Sequence, residues 1–296
     1  MPFYKLFQNI YRIFGLLFYF MYLTLNGIII SRILESKGGN FMNIDNLREL
    51  SLTSTSKGML YKCIADIEGK KVYIKTGTKF KNKISILEPV SEVIASEIIK
   101  AFNIPCANNT LKNMKLPSFD KEVLVNVSED FLEDKEILMS IRNLLGDVSR
   151  ENLYETVISV IPQFKLDIDR MIVMDFLINN IDRHLRNFSV VVKKEETLKF
   201  APLYDHGLSL YADIQDFELE QDDKETWEMI DECKPFAESH YKQLELIGSI
   251  KLKRVPLEEL FCIVDKYKEY LSNYRIECIK YLLETRYNYL IERKII

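Results

Sequence analysis

Asn179-Asn-Ile-Asp-Arg-His-Leu-Arg-Asn187, then a pair of strand-like runs, then Ala201-Pro-Leu-Tyr-Asp-His-Gly207, is the stretch on which the reading of this chain turns. Asp182 and Asn187 stand five positions apart in a segment of loop formers. The runs Phe188–Val192 and Leu198–Ala201, joined by the turn Lys193–Thr197, form a hairpin pattern that folds Asp205 back beside them. The result is one free carboxylate and two oxygen ligands. Phosphoryl transfer from ATP needs that inventory: a carboxylate that accepts or orients the attacking hydroxyl, and Asn and Asp oxygens that hold Mg2+ against the phosphates.

Working upstream, the polar stretch Ser51–Gly58 precedes two strand-like runs, Leu60–Glu68 and Lys71–Lys75, which the Gly69-Lys70 pair joins into a hairpin. Lys75 ends the second run in Val72-Tyr-Ile-Lys75, where a lysine can reach the α- and β-phosphates, and Gly58 lets backbone N–H groups approach phosphate. Pro89 opens a helix whose apolar stripe is Val90, Ile94, Ile98, Ala101 and Phe102. A strand pattern follows at Glu122–Val127. Beyond Asp134 the period is helical, over Lys135–Leu145, Glu151–Ile161 and Leu166–Asn179, and again from Leu257 onward. A β-rich first part followed by a helical part holding one hairpin predicts an α+β, two-lobed fold, with 42–132 as the smaller lobe and 133–296 as the larger.

Composition sets the outer bounds. With 47% hydrophobic and 28% charged residues, the chain is an ordinary globular one, and its net charge of −4 lacks the basic footprint of a nucleic-acid binder, so no direct nucleic-acid contact is expected. Five scattered cysteines without a C-x-x-C suggest neither a disulfide framework nor a zinc site, and a cytoplasmic setting is the default. Residues 213–232 carry ten acidic side chains against Lys224 alone, which reads as a solvated surface. Residues 1–41 stand apart. Ile13–Ser31 is free of charge over 19 residues, long enough to span a membrane. The competing reading is upstream sequence ahead of a start at Met42, because Lys37-Gly38-Gly39-Asn40-Phe41-Met42 back-translates to a purine-rich ribosome-binding pattern before an ATG. A membrane partner is expected only if 13–31 is an anchor.

N-x-D-R-H-x-x-N followed by A-P-x-Y-D-x-G resembles the HipA-like Ser/Thr protein kinases, and the resemblance extends over about residues 51–290, including Ser91-Glu92 and the Lys234-Pro-Phe236 run with His240 and Gln243. The resemblance implies a bilobal kinase-like fold, ATP and Mg2+ as cofactors, a protein substrate, and a toxin or regulatory kinase with a small antitoxin or regulatory partner. By position it implies Asp182 as catalytic base, Asn187 and Asp205 as metal ligands, and Lys75 as the phosphate-binding lysine. It further implies Ser56 and Gly58 in the phosphate loop, and Val127 to Phe131 as the hinge that holds adenine. For the partner of Lys75, the family pattern points to Glu92, while the helical wheel puts Glu97 at the edge of the apolar stripe; Glu92 is the expected partner, since a helix bridging two lobes can turn its polar side toward the cleft. Autophosphorylation in the loop, at Ser54 or Ser56, is implied as well. The D-R-H-x-x-N element is also similar to phosphatidylinositol kinases, so a lipid or small-molecule kinase is the rival enzyme reading, and a pseudokinase binding module the non-enzymatic one.

Overall fold

The computed structural model describes residues 44–55, 58–80, 83–149, 151–194 and 196–296. The apolar run 13–31, Met42 and Ser56 lie outside them. Among the described residues, no helix is long and apolar enough to cross a membrane.

The first half of the chain builds an antiparallel sheet. Strands β1 (Ile44–Thr55), β2 (Gly58–Ile67) and β3 (Lys70–Thr76) run as a meander, followed by short β4 (Lys79–Phe80) and β5 (Lys83–Ile84), while β6 (Asn109–Met114) and β7 (Val123–Glu129) complete it. β7 lies between β3 and β6. The polar stretch Ser51–Gly58 is therefore strand over most of its described residues, with Thr55 paired to Gly58. The β2–β3 turn sits one residue earlier than the sequence suggests, on Glu68 and Gly69, which both adopt left-handed backbone (φ 54° and 78°), and Gly69 N–H donates to Asp66 Oδ1 at 2.8 Å. Two consecutive left-handed residues make the tight turn whose twist matches paired strands. In consequence Lys62 stands directly across from Lys75.

Helix α1 (Leu87–Ala101) crosses behind this sheet, with Ser85 Oγ accepting the Leu87 N–H, Pro89 tolerated in the first turn, and left-handed Asn103 just past its end. Val90, Ile94, Ile98, Ile99 and Phe102 point into the larger apolar core, shared with the helical lobe. The opposite face of the sheet buries Tyr61, Cys63, Val72, Ile74 and Val125 against Met114 and Leu116 in a smaller core.

The second half is helical around a three-stranded sheet. Its elements are β8 (Ile137–Ser140), α2 (Ile141–Leu145), α3 (Leu153–Val160), α4 (Lys165–Ile178), β9 (Ser189–Lys193), β10 (Glu196–Phe200), α5 (Asp216–Leu219), α6 (Lys224–Glu228), α7 (His240–Leu246), α8 (Leu257–Asp265) and α9 (Asn273–Glu292). One expected helix, Lys135–Leu145, divides. Its first part pairs with β9 as an edge strand, from Ile137 opposite Val192 to Ser140 opposite Ser189, and only Ile141–Leu145 is helical, capped by Ser140 Oγ. Pairing with a buried strand overrides a helix-compatible pattern of short length. The acidic 213–232 stretch holds the short helices α5 and α6, and leaves Phe217 and Met229 exposed. The whole is an α+β bilobal kinase-like fold, a small antiparallel sheet region followed by a helical part.

Candidate active site

Helix α4 ends because Asn179 takes up left-handed backbone (φ 52°), a conformation Asn tolerates better than other side-chain-bearing residues, and this turns the chain out of the core into the loop 180–187. The loop is braced from within. Asn187 Nδ2 donates to Asp182 O at 2.9 Å, the His184 N–H donates to Asp182 O at 2.8 Å, and the Arg186 N–H donates to His184 Nδ1 at 3.2 Å. Asn187 thereby spends its amide N–H on the loop, and its carbonyl oxygen is the atom suited to a cation.

Arg183 fixes this loop to its surroundings. The side chain is fully buried, and each of its five N–H groups has an acceptor. Nε and one Nη pair with both oxygens of Asp175 on α4 at 2.8 and 2.9 Å. The same Nη reaches His206 Nδ1 at 2.8 Å, and the other donates to Asn187 O at 2.6 Å and Tyr204 O at 2.7 Å. Burial pulls the guanidinium pKa down, but the Asp175 carboxylate outweighs it and the net shift is upward. His206 is buried beside this cation, and burial together with Arg183 holds its pKa well below the usual imidazole range, so it is neutral and accepts through Nδ1. Adjacent in sequence, Asp182 and Arg183 do not pair with each other here; the arginine reaches back to Asp175 and ties α4, the Asp182 loop and the Tyr204–His206 segment into one block.

Asp205, in left-handed backbone (φ 64°), faces the roof of the cleft. Lys75 Nζ lies 2.8 Å from its Oδ1, and Lys62 Nζ 3.9 Å from its Oδ2. Burial raises the carboxyl pKa, Lys75 and Lys62 lower it, and the lysines prevail, leaving an ionised carboxylate. For Lys75 burial lowers the pKa, Asp205 and Glu92 raise it, and the net shift is upward. Glu92 Oε2 is 3.9 Å from Lys75 Nζ, whereas Glu97 is engaged by Lys266 at 2.7 Å and the Tyr267 hydroxyl at 2.5 Å on the far side of the helix. Ser91 Oγ donates to Ser209 O at 2.8 Å, binding α1 to the segment after Asp205.

Asp182 lies at the floor, its Oδ1 2.7 Å from Lys234 Nζ and its Oδ2 3.8 Å from His184 Nε2. The structure thus brings Lys75, Glu92 and Asp205 into one ion-pair cluster and Asp182 and Asn187 into one loop, and Arg183 ties the two together. Gly58 opens β2 next to the β1–β2 turn. Phe131, past the end of β7, packs on Tyr204 with ring centroids 6.3 Å apart. Val127 is buried in the smaller core, flanked by Ile74 of β3 and Thr110 of β6. Sequence reading missed Lys62 and Asp175, and carried Arg183 and Lys234 only as parts of motifs, with no role of their own.

The donor set fits a magnesium nucleotide. Asn187 and the ionised Asp205 are hard oxygen ligands, and among the described residues no group of three or more His, Cys, Asp or Glu side chains forms a complete metal cage. A cation held by one carboxylate and one amide, with phosphate oxygens and water for the rest, is the habit of Mg2+.

The description HipA-like C-terminal domain matches residues 54–261 of the chain. Among solved structures, the chain is similar to the Helicobacter pylori proinflammatory kinase CtkA, with a TM-score of 0.63 at 17% identity, covering 85% of this chain and 95% of that one. A HipA chain from the Shewanella oneidensis MR-1 toxin–antitoxin complex with HipB and operator DNA aligns with a TM-score of 0.39 at 13% identity, over 89% of this chain and 69% of that one. Among curated proteins, no sequence matches.

Proposed function

Because the chain belongs to the HipA-like C-terminal domain family and is a kinase of that family, we propose that it transfers the γ-phosphoryl group of ATP to a Ser or Thr hydroxyl of a protein, with its two lobes meeting near residue 132. The observation that carries the reading is the ion-pair cluster of Lys75, Glu92 and Asp205 tied by Arg183 to the braced loop that holds Asp182 and Asn187. Lys75, kept protonated by its carboxylate neighbours, binds phosphate oxygens. Asn187 and Asp205 would hold Mg2+, which when bound neutralises phosphate charge. Asp182 takes the proton of the acceptor hydroxyl as its oxygen attacks phosphorus. Adenine is held by backbone groups of the segment from Val127 to Phe131.

The same reading extends to control. Phosphorylation at Ser54 or Ser56 adds about −1.5 to −2 charges next to the site for the ATP phosphates and expels this segment from it. The proposal includes a toxin or regulatory role with a small antitoxin-like partner. The test separates binding from chemistry: Asp182→Ala should abolish transfer and leave ATP binding intact, whereas Asp205→Ala should weaken binding of the magnesium nucleotide. Near wild-type transfer by Asp182→Ala would remove Asp182 as the base. Intact mass after preincubation with ATP, with Asp182→Ala as the control, tests the loop phosphorylation.

A further inference from the structure

Lys234 belongs to no element of the site so far assigned, yet its Nζ lies 2.7 Å from Asp182 Oδ1 across 52 positions of sequence. The loop that presents it is built with care. Glu232 and Ser239 bridge its base, and the Cys233 N–H donates to Glu238 O at 3.1 Å. The Phe236 N–H donates to the buried Gln243 Oε1 at 2.9 Å, and the Phe236 ring sits edge-on to Tyr154 and Phe188 with centroids 5.4 and 6.0 Å away. Against that anchoring, the lysine itself is 56% exposed, and an ion pair so placed contributes at most about 1 kcal/mol to stability. A rigid loop that carries an exposed cation to the carboxylate read as the base is not explained by folding.

We propose that Lys234 is a catalytic residue that contacts the transferring phosphoryl group from the acceptor side; this rests on the phosphotransferase reading above. An ammonium carries three N–H donors, and Asp182 uses one. A second reaches a phosphoryl oxygen, while Lys62 and Lys75 act from the roof at Asp205. In the transfer, the bond from phosphorus to the bridging oxygen of ADP breaks and the bond to the hydroxyl oxygen forms. The hydroxyl proton passes to Asp182 Oδ2, and ADP leaves. Lys234 keeps its protons throughout: it holds Oδ1, so that Oδ2 receives the proton, and it neutralises charge on the group in flight.

The experiment compares binding of Mg·ADP with and without aluminium fluoride, which stands in for the phosphoryl group in flight, in the full chain and in Lys234→Met and Lys234→Arg. Wild type should gain at least thirtyfold in affinity from the fluoride. Lys234→Met should lose about tenfold of that gain while its affinity for Mg·ADP alone stays within twofold and its melting temperature within 2 °C; Lys234→Arg should recover most of the gain. With casein as acceptor, Lys234→Met should lower kcat about a hundredfold and leave the KM for ATP within twofold. A full fluoride gain in Lys234→Met overturns the assignment, as does an equal loss of affinity for Mg·ADP alone, or a fall in melting temperature that Lys234→Arg shares. If wild type itself gains nothing from the fluoride, the phosphotransferase reading fails first, and this inference with it.

Discussion

Replacing Asp175 by Asn tests whether Arg183 holds the site together. The change is nearly isosteric, but Asp175 accepts from Arg183 at both oxygens and from Asn180 Nδ2 at 2.9 Å on Oδ1. An Asn in either flip sets an NH2 group against an arginine N–H donor, so at least one buried donor loses its acceptor. The guanidinium also remains charged and wholly buried. Removing one partner of a buried pair costs about 3–5 kcal/mol, and the surviving amide acceptor places this change near 3 kcal/mol. For a chain of this size that is roughly 6–12 °C in Tm, readable by scanning calorimetry. Combining Asp175→Asn with Arg183→Gln removes the stranded charge and should return part of the loss, a coupling that a double-mutant cycle quantifies. The variant should also transfer phosphate poorly, because Asn187 and Tyr204 take their positions from the same side chain. A Tm within 2 °C of wild type would refute the claim that Arg183 is a buried charge dependent on Asp175.

Further outcomes follow from the same geometry. His206 and His240 are buried with pKa values driven well below normal by burial and by Arg183 and Arg286 respectively, so the unfolded chain takes up protons below pH 6.5 that the native one refuses; stability should fall on acidification by about 2 kcal/mol per histidine between pH 7 and 5. Since neither ring nitrogen of His240 has a hydrogen-bond partner among the described residues, His240→Leu should remove half of that loss in urea titrations at the two pH values. Asp205, its carboxyl pKa depressed by Lys75 and Lys62, contributes stability that is present above about pH 4 and lost as pH falls toward its native value, so the difference in urea midpoint between wild type and Asp205→Asn should shrink from pH 4 to pH 2. Gly77→Ala would put a Cβ 1.9 Å from Ser85 O, a clash with backbone two residues beyond Lys75; it should lower the yield of folded protein and weaken ATP binding, which calorimetry on the purified variant would register.

Much of this arrangement was legible before any coordinates, because the chemistry is local: Asp182 and Asn187 share a loop, and the hairpin pattern at 188–201 returns the chain to Asp205. What escaped was set at a distance. Placing the first turn on Gly69-Lys70 instead of Glu68-Gly69 shifts the register by two residues and hides Lys62, which the true turn sets opposite Lys75. Arg183 stands beside Asp182 in the motif, yet its acceptors come from Asp175 on α4, from Asn187 and from Tyr204 and His206. The run from Ile137 suits a helix until β9 offers a ladder. β6, Asn109–Met114, has few strand-favouring residues and exists because β7 lies beside it.

Helix α1 is held from both sides. It packs on β6 and β7, and its outer end is fastened to the end of α8 through Glu97, Lys266 and Tyr267. Val90, Ile94, Ile98, Ile99 and Phe102 are buried, and at about 1.5–3 kcal/mol each they represent roughly 7–15 kcal/mol of apolar burial, as large as the net stability of a whole domain. Moving that helix as a unit would return much of this apolar surface to water, at a cost comparable to the stability of a whole domain.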